Sequence, residues 1–251
     1  MSERNIKLII EYCGTAYSGW QAQKEKTTVQ GELLKAIQRV TGDHVSIYAA
    51  GRTDTGVHAL GQVANFHIDH RLEAERFADA INYYLPDDIR VLKSEEVGES
   101  FHSRFDATAR RYRYLVSDQP SAIYRDLRAL HRPQLNPELL REAAGPVLGE
   151  HDFAPFCVVA SRKDNNVCTV TFSKWRRFGP LWVYEIEANR FLHSMVRSLV
   201  GAMLNLATAE PDQNPANLTL QSFSDIITAP TEERLPFTAP ACGLYLVRVT
   251  Y

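Results

Sequence analysis

The apolar positions of the first hundred residues alternate between the period of a strand and the period of a helix. Short runs rich in β-branched residues predict strands at residues 5–11, 45–49 and 62–68. Apolar residues recur at helical spacing from Val29 to Val40, and Thr27 and Gln30 have the spacing of a capping box. A rougher helical stripe runs through residues 72–85 and stops before a proline.

The later part of the chain shows the same mixture. Residues 111–116 alternate, with Tyr112 and Tyr114 on one face. Strands at residues 170–175 and 182–188 flank a glycine–proline pair, which predicts a hairpin. The strongest helical stripe runs through residues 192–203, and Arg197 and Gly201 fall off it, one turn apart.

Together these elements predict an α+β protein. Residues 244–251 form a last strand and the polar residues 210–217 a loop. Because strands and helices alternate in both halves, we divide the chain near residue 105 into lobes 1–105 and 106–251.

Composition places the chain of 251 residues, with 45% apolar and 23% charged residues, among ordinary globular proteins. It contains no apolar stretch of the length that crosses a bilayer, and its first residues lack the apolar core of a secretion signal. The four cysteines are widely separated, which argues against a paired-cysteine zinc site and against a disulfide framework. We therefore expect a reduced, cytoplasmic protein.

The net charge of −2 gives no overall support for nucleic-acid binding, but the positive charges are clustered. Residues 101–114 carry four arginines and one acid: Arg104, Arg110, Arg111 and Arg113 against Asp106. A second cluster consists of Lys174, Arg176 and Arg177. For this cluster a solvated strand face is as good an interpretation as a nucleic-acid contact. Local basic stripes of this kind can neutralise phosphates while acids elsewhere cancel the total.

The polar loop at residues 49–59 is the strongest candidate for chemistry. It reads Ala-Ala-Gly-Arg-Thr-Asp-Thr-Gly-Val-His-Ala, with Asp54 two residues after Arg52. A nearby guanidinium favours the ionised form of a carboxylate. The alternative is a surface turn in which Asp54 accepts hydrogen bonds from its own backbone.

Other chemistries find less support. Asp54-Thr55-Gly56 is the triplet of aspartic proteases, but a second triplet is absent, and Arg52 would oppose a proton shared between two carboxylates. The chain has neither a phosphate-binding Gly-x-x-x-x-Gly-Lys loop nor a Gly-x-Gly-x-x-Gly fingerprint. Its histidines lack metal-ligand spacing, so we expect neither a metal nor a cofactor.

Several segments, in order, resemble the tRNA pseudouridine synthase A family. The resemblance spans residues 7–251 and rests on these segments: 14–23 (Gly-Thr-Ala-Tyr-Ser-Gly-Trp-Gln-Ala-Gln), 51–59, 101–107 (Phe-His-Ser-Arg-Phe-Asp-Ala), 110–114 and 191–197. Three places depart from the family pattern. Thr55 stands where alanine is usual, Cys168 stands where an arginine is expected, and residues 206–208 lack the glycines that often follow the long helix.

The resemblance implies a cofactor-free isomerisation of uridine to pseudouridine at positions 38, 39 and 40 of the tRNA anticodon arm. It implies that Asp54 is the essential carboxylate, Tyr112 stacks on the flipped base, and Arg197 pairs with Asp54. Arg52 would fill the vacated space or hold a phosphate, and Arg104, Arg110 and Arg111 would contact RNA.

The family fold implied is two similar lobes with antiparallel sheets, joined across a central basic cleft, with helices on the outer face. A homodimer is expected, with the RNA arm crossing from one subunit to the other. A catalytically silent RNA-binding module and a dimeric aspartic protease are the alternatives that the sequence leaves open.

Overall fold

The computed structural model describes residues 3–208, 217–231 and 233–251. The chain forms two compact units, of which the first comprises Met1–Thr108 with Tyr245–Tyr251 and the second Ala109–Leu244. The division into two continuous lobes, 1–105 and 106–251, that the sequence pattern suggests stays a prediction. The predicted loop at residues 210–217 lies, apart from Asn217, outside the described residues.

The first unit is built on an antiparallel set of strands to which the C-terminal strand adds in parallel. Its strands are β1 (Arg4–Tyr12), β2 (Tyr48–Ala49), β3 (His58–Ile68), β4 (Ile89–Val97) and β10 (Leu244–Thr250). The order is β4-β1-β3-β10, and β2 also pairs with β3. Residues Ile6, Leu8 and Ile10 of β1 are completely buried, as expected for the apolar face of a half-buried strand.

Two predictions for this unit need correction. The strand predicted at residues 45–49 is limited to Tyr48–Ala49. The predicted helix is present as α1 (Val29–Thr41), but its N-cap is Thr28 and not Thr27. The Thr28 Oγ1 atom accepts the Gly31 backbone N–H at 3.2 Å, which satisfies one of the donors left unpaired at a helix start.

The second helical stripe of the first unit forms only a short helix. It is α2 (Phe77–Asn82), which follows a 3-10 turn at Ala74–Arg76. Helix α1, by contrast, runs its full predicted length and ends at Gly42, whose φ of +82° is the left-handed conformation favoured after a helix end. Both helices bury their apolar face, including Leu33, Ile37 and Ile81.

In the part of the second unit that the structure describes, the strands are accompanied by three helices. The strands are β5 (Ala109–Ser117), β6 (Ala129–Leu130), β7 (Gly149–Asp152), β8 (Val167–Phe178) and β9 (Leu181–Ala188). The order is β5-β9-β8-β7, with β6 parallel to β5. The helices are α3 (Pro137–Glu142), α4 (Met195–Leu206) and α5 (Leu220–Thr228). Strands β8 and β9 form the predicted hairpin, in which Gly179 has a φ of +57°.

Helix α4 contributes much of the core of the second unit. Its residues Met195, Leu199 and Met203 are completely buried. The indole nitrogen of Trp175, in β8, donates a hydrogen bond to the Met203 sulfur at 3.4 Å. The helix begins three residues later than the predicted stripe, after Ser194, which has a φ of +61°. Both units combine strands and helices, which is the α+β class that the sequence predicts.

None of the helices in the described ranges has both the length and the apolar composition required to cross a bilayer.

Candidate active site

The loop that carries Asp54 joins β2 to β3 in the first unit. The segment before α1 holds it in place through backbone hydrogen bonds. Trp20 N–H donates to the Thr53 carbonyl at 3.1 Å, and Gly56 N–H donates to the Tyr17 carbonyl at 3.4 Å. Within the loop, Val57 N–H donates to the Asp54 carbonyl at 3.1 Å, which closes a tight turn. The backbone on both sides of Asp54 is therefore fixed.

Two glycines of this segment allow it to lie directly against the loop. Gly19 has a φ of +83°, and a Cβ atom there would come within 2.7 Å of the Thr53 carbonyl oxygen. At Gly14 a Cβ atom would be 2.0 Å from the Val57 carbonyl oxygen. No side chain fits at either distance, so both positions require glycine.

Thr53, the residue before Asp54, is held in place through its side chain as well as its backbone. Its hydroxyl and the Tyr12 hydroxyl are 2.8 Å apart, and both residues are buried. Beyond Arg52, the Gln62 side-chain amide donates to the Gly51 carbonyl at 2.8 Å. Sequence reasoning missed Tyr12 and Thr53, because neither residue type nor spacing indicates a contact between positions 41 residues apart.

Asp54 itself is half-buried and Arg52 is exposed. Nearby, the Tyr17 hydroxyl donates a short hydrogen bond to Asp88 Oδ1. Burial, followed by this bond to the Asp88 carboxylate, raises the pKa of Tyr17 well above its usual range. Tyr17 therefore stays protonated. Its hydrogen bond connects the segment before α1, which supports the Asp54 loop, to the turn before β4. This arrangement presents one carboxylate from a rigid support.

Tyr112 and Arg197 lie in the second unit. Tyr112, in β5, is 9% exposed, and its ring meets that of Phe191 edge-on with centroids 5.0 Å apart. Arg197, in the first turn of α4, donates from Nε to the Ala239 carbonyl at 2.9 Å. Its own carbonyl accepts the Ala239 N–H at 2.9 Å, so backbone and side chain are both fixed. The pairing of Arg197 with Asp54 stays a prediction.

An irregular segment, and not a strand, approaches α4 closely at Gly201. A Cβ atom on Gly201 would be 3.1 Å from the backbone nitrogens of Thr238 and Ala239. Ala239 also bonds to Arg197. The segment with Thr238 and Ala239 therefore packs against α4 and holds Arg197 in the first turn of the helix.

The arginines predicted to contact RNA differ in their surroundings. Arg104 is exposed, in the loop before β5. Arg110 donates from Nη1 to the Asn189 carbonyl at 2.8 Å. Arg111 forms an ion pair with Glu187 at 3.2 Å and lies over the Phe172 ring, 4.5 Å from its centroid. Arg111 is thus part of the sheet's own packing, and its contact with RNA stays a prediction.

A second cluster of charged side chains, centred on Glu185, lies on the same face of the sheet as Arg111 and Glu187. This side chain is 9% exposed and binds Arg113 at 2.9 Å and Arg176 at 2.7 Å. Burial opposes its charged form, but the hydrogen bond to Arg113 and the charges of both arginines outweigh burial and lower its pKa. Of the second basic cluster, Arg176 therefore neutralises an acid of its own unit, and so does Arg177, which pairs with Asp118 at 3.2 Å.

Comparison with known proteins identifies the class. A family model described as tRNA pseudouridine synthase matches residues 8–106 and 143–251. A protein of Chlorobium luteolum named tRNA pseudouridine synthase A is 42% identical over 253 residues, covering 99% of this chain and 96% of its own. A protein of Acetivibrio thermocellus with the same name is 41% identical, covering 99% and 100% of the two chains. The chain belongs to the tRNA pseudouridine synthase A family, which is at odds with the protease interpretation of the Asp54 triplet.

The support of the Asp54 loop can be tested at Gly19. We expect Gly19→Ala to lower the turnover of uridine more than tenfold, because the added Cβ displaces the Thr53 carbonyl and with it Asp54. The matched control is Gly42→Ala, which has a nearly identical φ of +82° and nothing within 4 Å of the new Cβ. Equal loss of turnover in both variants would show that backbone strain alone is responsible.

The Glu185 pair can be tested by unfolding at different pH values. We expect Glu185→Gln to lower the free energy of unfolding by about 1–2 kcal/mol at neutral pH, since its arginines are partly exposed. A lowered pKa stabilises the fold above the unfolded value of roughly 4.3 and loses this contribution as pH falls through the folded value. The difference from the parent should therefore shrink below about pH 4.5.

The control for this measurement is Glu138→Gln, because Glu138 is 72% exposed and 4.0 Å from Arg141. Its effect should stay within about 0.5 kcal/mol at every pH. A Glu185→Gln deficit that is constant down to pH 3 would contradict the assignment of a lowered pKa.

Proposed function

We propose that this protein isomerises uridine to pseudouridine at positions 38, 39 and 40 of the tRNA anticodon arm, with Asp54 as the essential carboxylate. The observation that carries the proposal is the support of Asp54. A half-buried carboxylate is held by a turn whose neighbours are fixed through Trp20 and Tyr12. Membership of the tRNA pseudouridine synthase A family supplies the reaction class.

The reaction needs the target base outside its helix, which costs a few kcal/mol of stacking and pairing. The bond between N1 and C1′ breaks, the uracil turns, and C5 joins C1′. C5 loses its proton and N1 gains one, so that no atom enters or leaves and no cofactor is required. The protein must therefore stabilise charge at the sugar, hold the detached base and move one proton.

Tyr112 is suited to hold the base. Its ring lies on a strand and meets Phe191 edge-on, which limits its rotation. Stacking of a base on such a ring contributes about 1–3 kcal/mol. The Tyr112 hydroxyl would accept or relay the C5 proton once the base has turned.

Arg197 would keep Asp54 ionised and fix its direction through a charge-assisted hydrogen bond. The bonds of Arg197 to Ala239 support this role, because they restrict its side chain before the substrate binds. Arg52, which is exposed, would enter the space left by the flipped base or hold a phosphate.

The RNA would lie in a basic cleft between two similar lobes with antiparallel sheets, and the helices would be on the outer face. Arg104, Arg110 and Arg111 would contribute to this cleft. The assembly proposed is a homodimer in which the RNA arm crosses from one subunit to the other, which doubles the basic surface available to it.

The proposal is tested by replacing the carboxylate. We expect Asp54→Asn to abolish pseudouridine in an unmodified tRNA transcript, with the affinity for tRNA changed by less than threefold. Pseudouridine is mapped at nucleotide resolution after incubation with the purified protein. The matched control is Asp43→Asn, an exposed aspartate after α1, which should modify as the parent does. Undiminished modification by Asp54→Asn, or none by the parent, would favour the silent RNA-binding module or a different chemistry.

The proton-transfer role of Tyr112 is tested by comparison with a second tyrosine on the same strand. We expect Tyr112→Phe to bind tRNA normally and to lose at least 100-fold in kcat, since the ring remains but the hydroxyl is gone. Tyr114→Phe removes a buried hydroxyl that donates to the Pro240 carbonyl at 2.8 Å. That variant should lose about 1 kcal/mol of stability and keep its kcat. The reverse pattern would make the Tyr112 hydroxyl structural.

A further inference from the structure

A groove in the first unit combines exposed aromatic rings with positive charge. It is lined by the end of α1, the turn after β3, and α2 with the two tyrosines that follow it, and its volume is about 730 Å³. Sites for small molecules have volumes of roughly 300–1,000 Å³. The Tyr83 and Tyr84 rings are nearly perpendicular, with centroids 5.0 Å apart. Tyr83 is 82% exposed and Tyr84 44%, so packing in the core does not explain this pair.

Three arginines from different elements line the same groove. Arg39 lies in the last turn of α1, Arg71 in the turn after β3, and Arg76 directly before α2. Among the residues that the structure describes, no ion pair engages any of these three guanidiniums. In the same described part of the chain, one acid, Glu73, lines the groove with them. The groove therefore carries a net positive charge that the protein itself does not neutralise.

The turn after β3, which forms one wall of the groove, is held in a fixed arrangement. Arg4 donates from Nη1 to the His70 carbonyl at 3.3 Å and to the Leu72 carbonyl at 2.8 Å. The Leu72 N–H donates to His70 Nδ1 at 3.1 Å, so the proton of the neutral imidazole is on Nε2, which remains a donor. The His70 ring also meets the Phe77 ring edge-on, with centroids 6.0 Å apart. The wall is therefore ordered before a ligand binds.

The groove is remote from Asp54. Strand β3 begins at His58, shortly after Asp54, and ends at Ile68, two residues before the turn that forms the groove wall. At roughly 3.3 Å per residue the two ends of this strand are about 30 Å apart. A ligand in the groove is therefore separate from any uridine that reacts at Asp54.

The chemistry of the lining restricts what the groove can bind. Its residues, as the structure describes them, belong to helices and turns, so it offers no strand edge to which an extended peptide could add. Recognition falls to guanidiniums, an imidazole and aromatic rings. Guanidiniums bind two phosphate oxygens at once, and an exposed ring stacks on a flat, uncharged face. A nucleoside polyphosphate carries both groups in one small molecule.

We propose that this groove binds a free nucleoside polyphosphate, with the base stacked on Tyr83 and the phosphates held by Arg71 and Arg76. Tyr84 already has the Arg39 guanidinium over its ring, 5.9 Å from the centroid, which leaves Tyr83 as the ring for the base. The His70 Nε2–H supplies a further donor to the phosphates. This site is additional to the proposed isomerisation and does not depend on it.

The test measures the binding of ATP, GTP and inorganic tripolyphosphate to the purified protein by isothermal titration calorimetry, without RNA or magnesium. Both nucleotides should bind the parent about 5- to 100-fold more tightly than tripolyphosphate, because only they can stack. Tyr83→Leu should remove this difference and leave the affinity for tripolyphosphate unchanged, whereas Tyr83→Trp should bind the nucleotides at least as tightly as the parent. Replacing Arg71 and Arg76 together by glutamine should weaken the binding of all three ligands by about tenfold or more.

The controls are Tyr124→Leu and Arg132→Gln in the second unit, which change a ring that is 50% exposed and an exposed arginine and should leave all affinities unchanged. Equal affinity of the parent for the nucleotides and tripolyphosphate would overturn the site, since it would show only attraction of anions to a basic surface. Unchanged nucleotide affinity in Tyr83→Leu would also overturn it. So would a loss of tRNA affinity in Tyr83→Leu when neither nucleotide binds the parent, because the groove would then contact RNA. Failure of the parent to form pseudouridine would refute the proposed reaction and leave these measurements, made without RNA, unaffected.

Discussion

The hydrogen bond from Trp20 N–H to the Thr53 carbonyl is the contact on which the candidate site depends. It joins two segments of the first unit and fixes the peptide that leads into Asp54. The bond can form only because Gly19 lacks a side chain, since a Cβ there would be 2.7 Å from the same oxygen. The role proposed for Asp54 requires such a support, because reacting groups must be held in a fixed geometry.

The support that the segment before α1 gives to the Asp54 loop explains why residues 14–23 and 51–59 both carry the family resemblance. The ionisable side chain of residues 14–23, Tyr17, donates its proton to a hydrogen bond with Asp88, yet this segment resembles the family as the loop at residues 51–59 also does. The structure gives them a mechanical role, because Gly14, Tyr17, Gly19 and Trp20 all contact the loop through backbone atoms or close approach. A resemblance of sequence thus reflects a shared scaffold as well as shared chemistry.

Local pattern was enough to predict β1, β5, the β8–β9 hairpin and most of α1 and α4, because runs of β-branched and aromatic residues, or apolar residues at helical spacing, mark each of them. It failed where tertiary contacts decide, as at residues 45–47, which have strand-like side chains but form no ladder. It also missed β4, whose residues 89–97 bury Ile89 and Val91 but are otherwise mostly polar. The anchors Tyr12 and Thr53 could not be predicted, since their bond joins distant positions.

Strand β10 has a consequence for how the protein is made. Its residue Tyr245 pairs in parallel with His58, at the start of β3, and stacks on the His58 ring with centroids 4.6 Å apart. The sheet beside the Asp54 loop therefore remains incomplete while the ribosome synthesises the whole second unit. Vectorial folding cannot finish the first unit, and this contact across most of the chain length should slow its maturation. A chain interrupted by premature termination would lack the strand next to its own candidate catalytic loop.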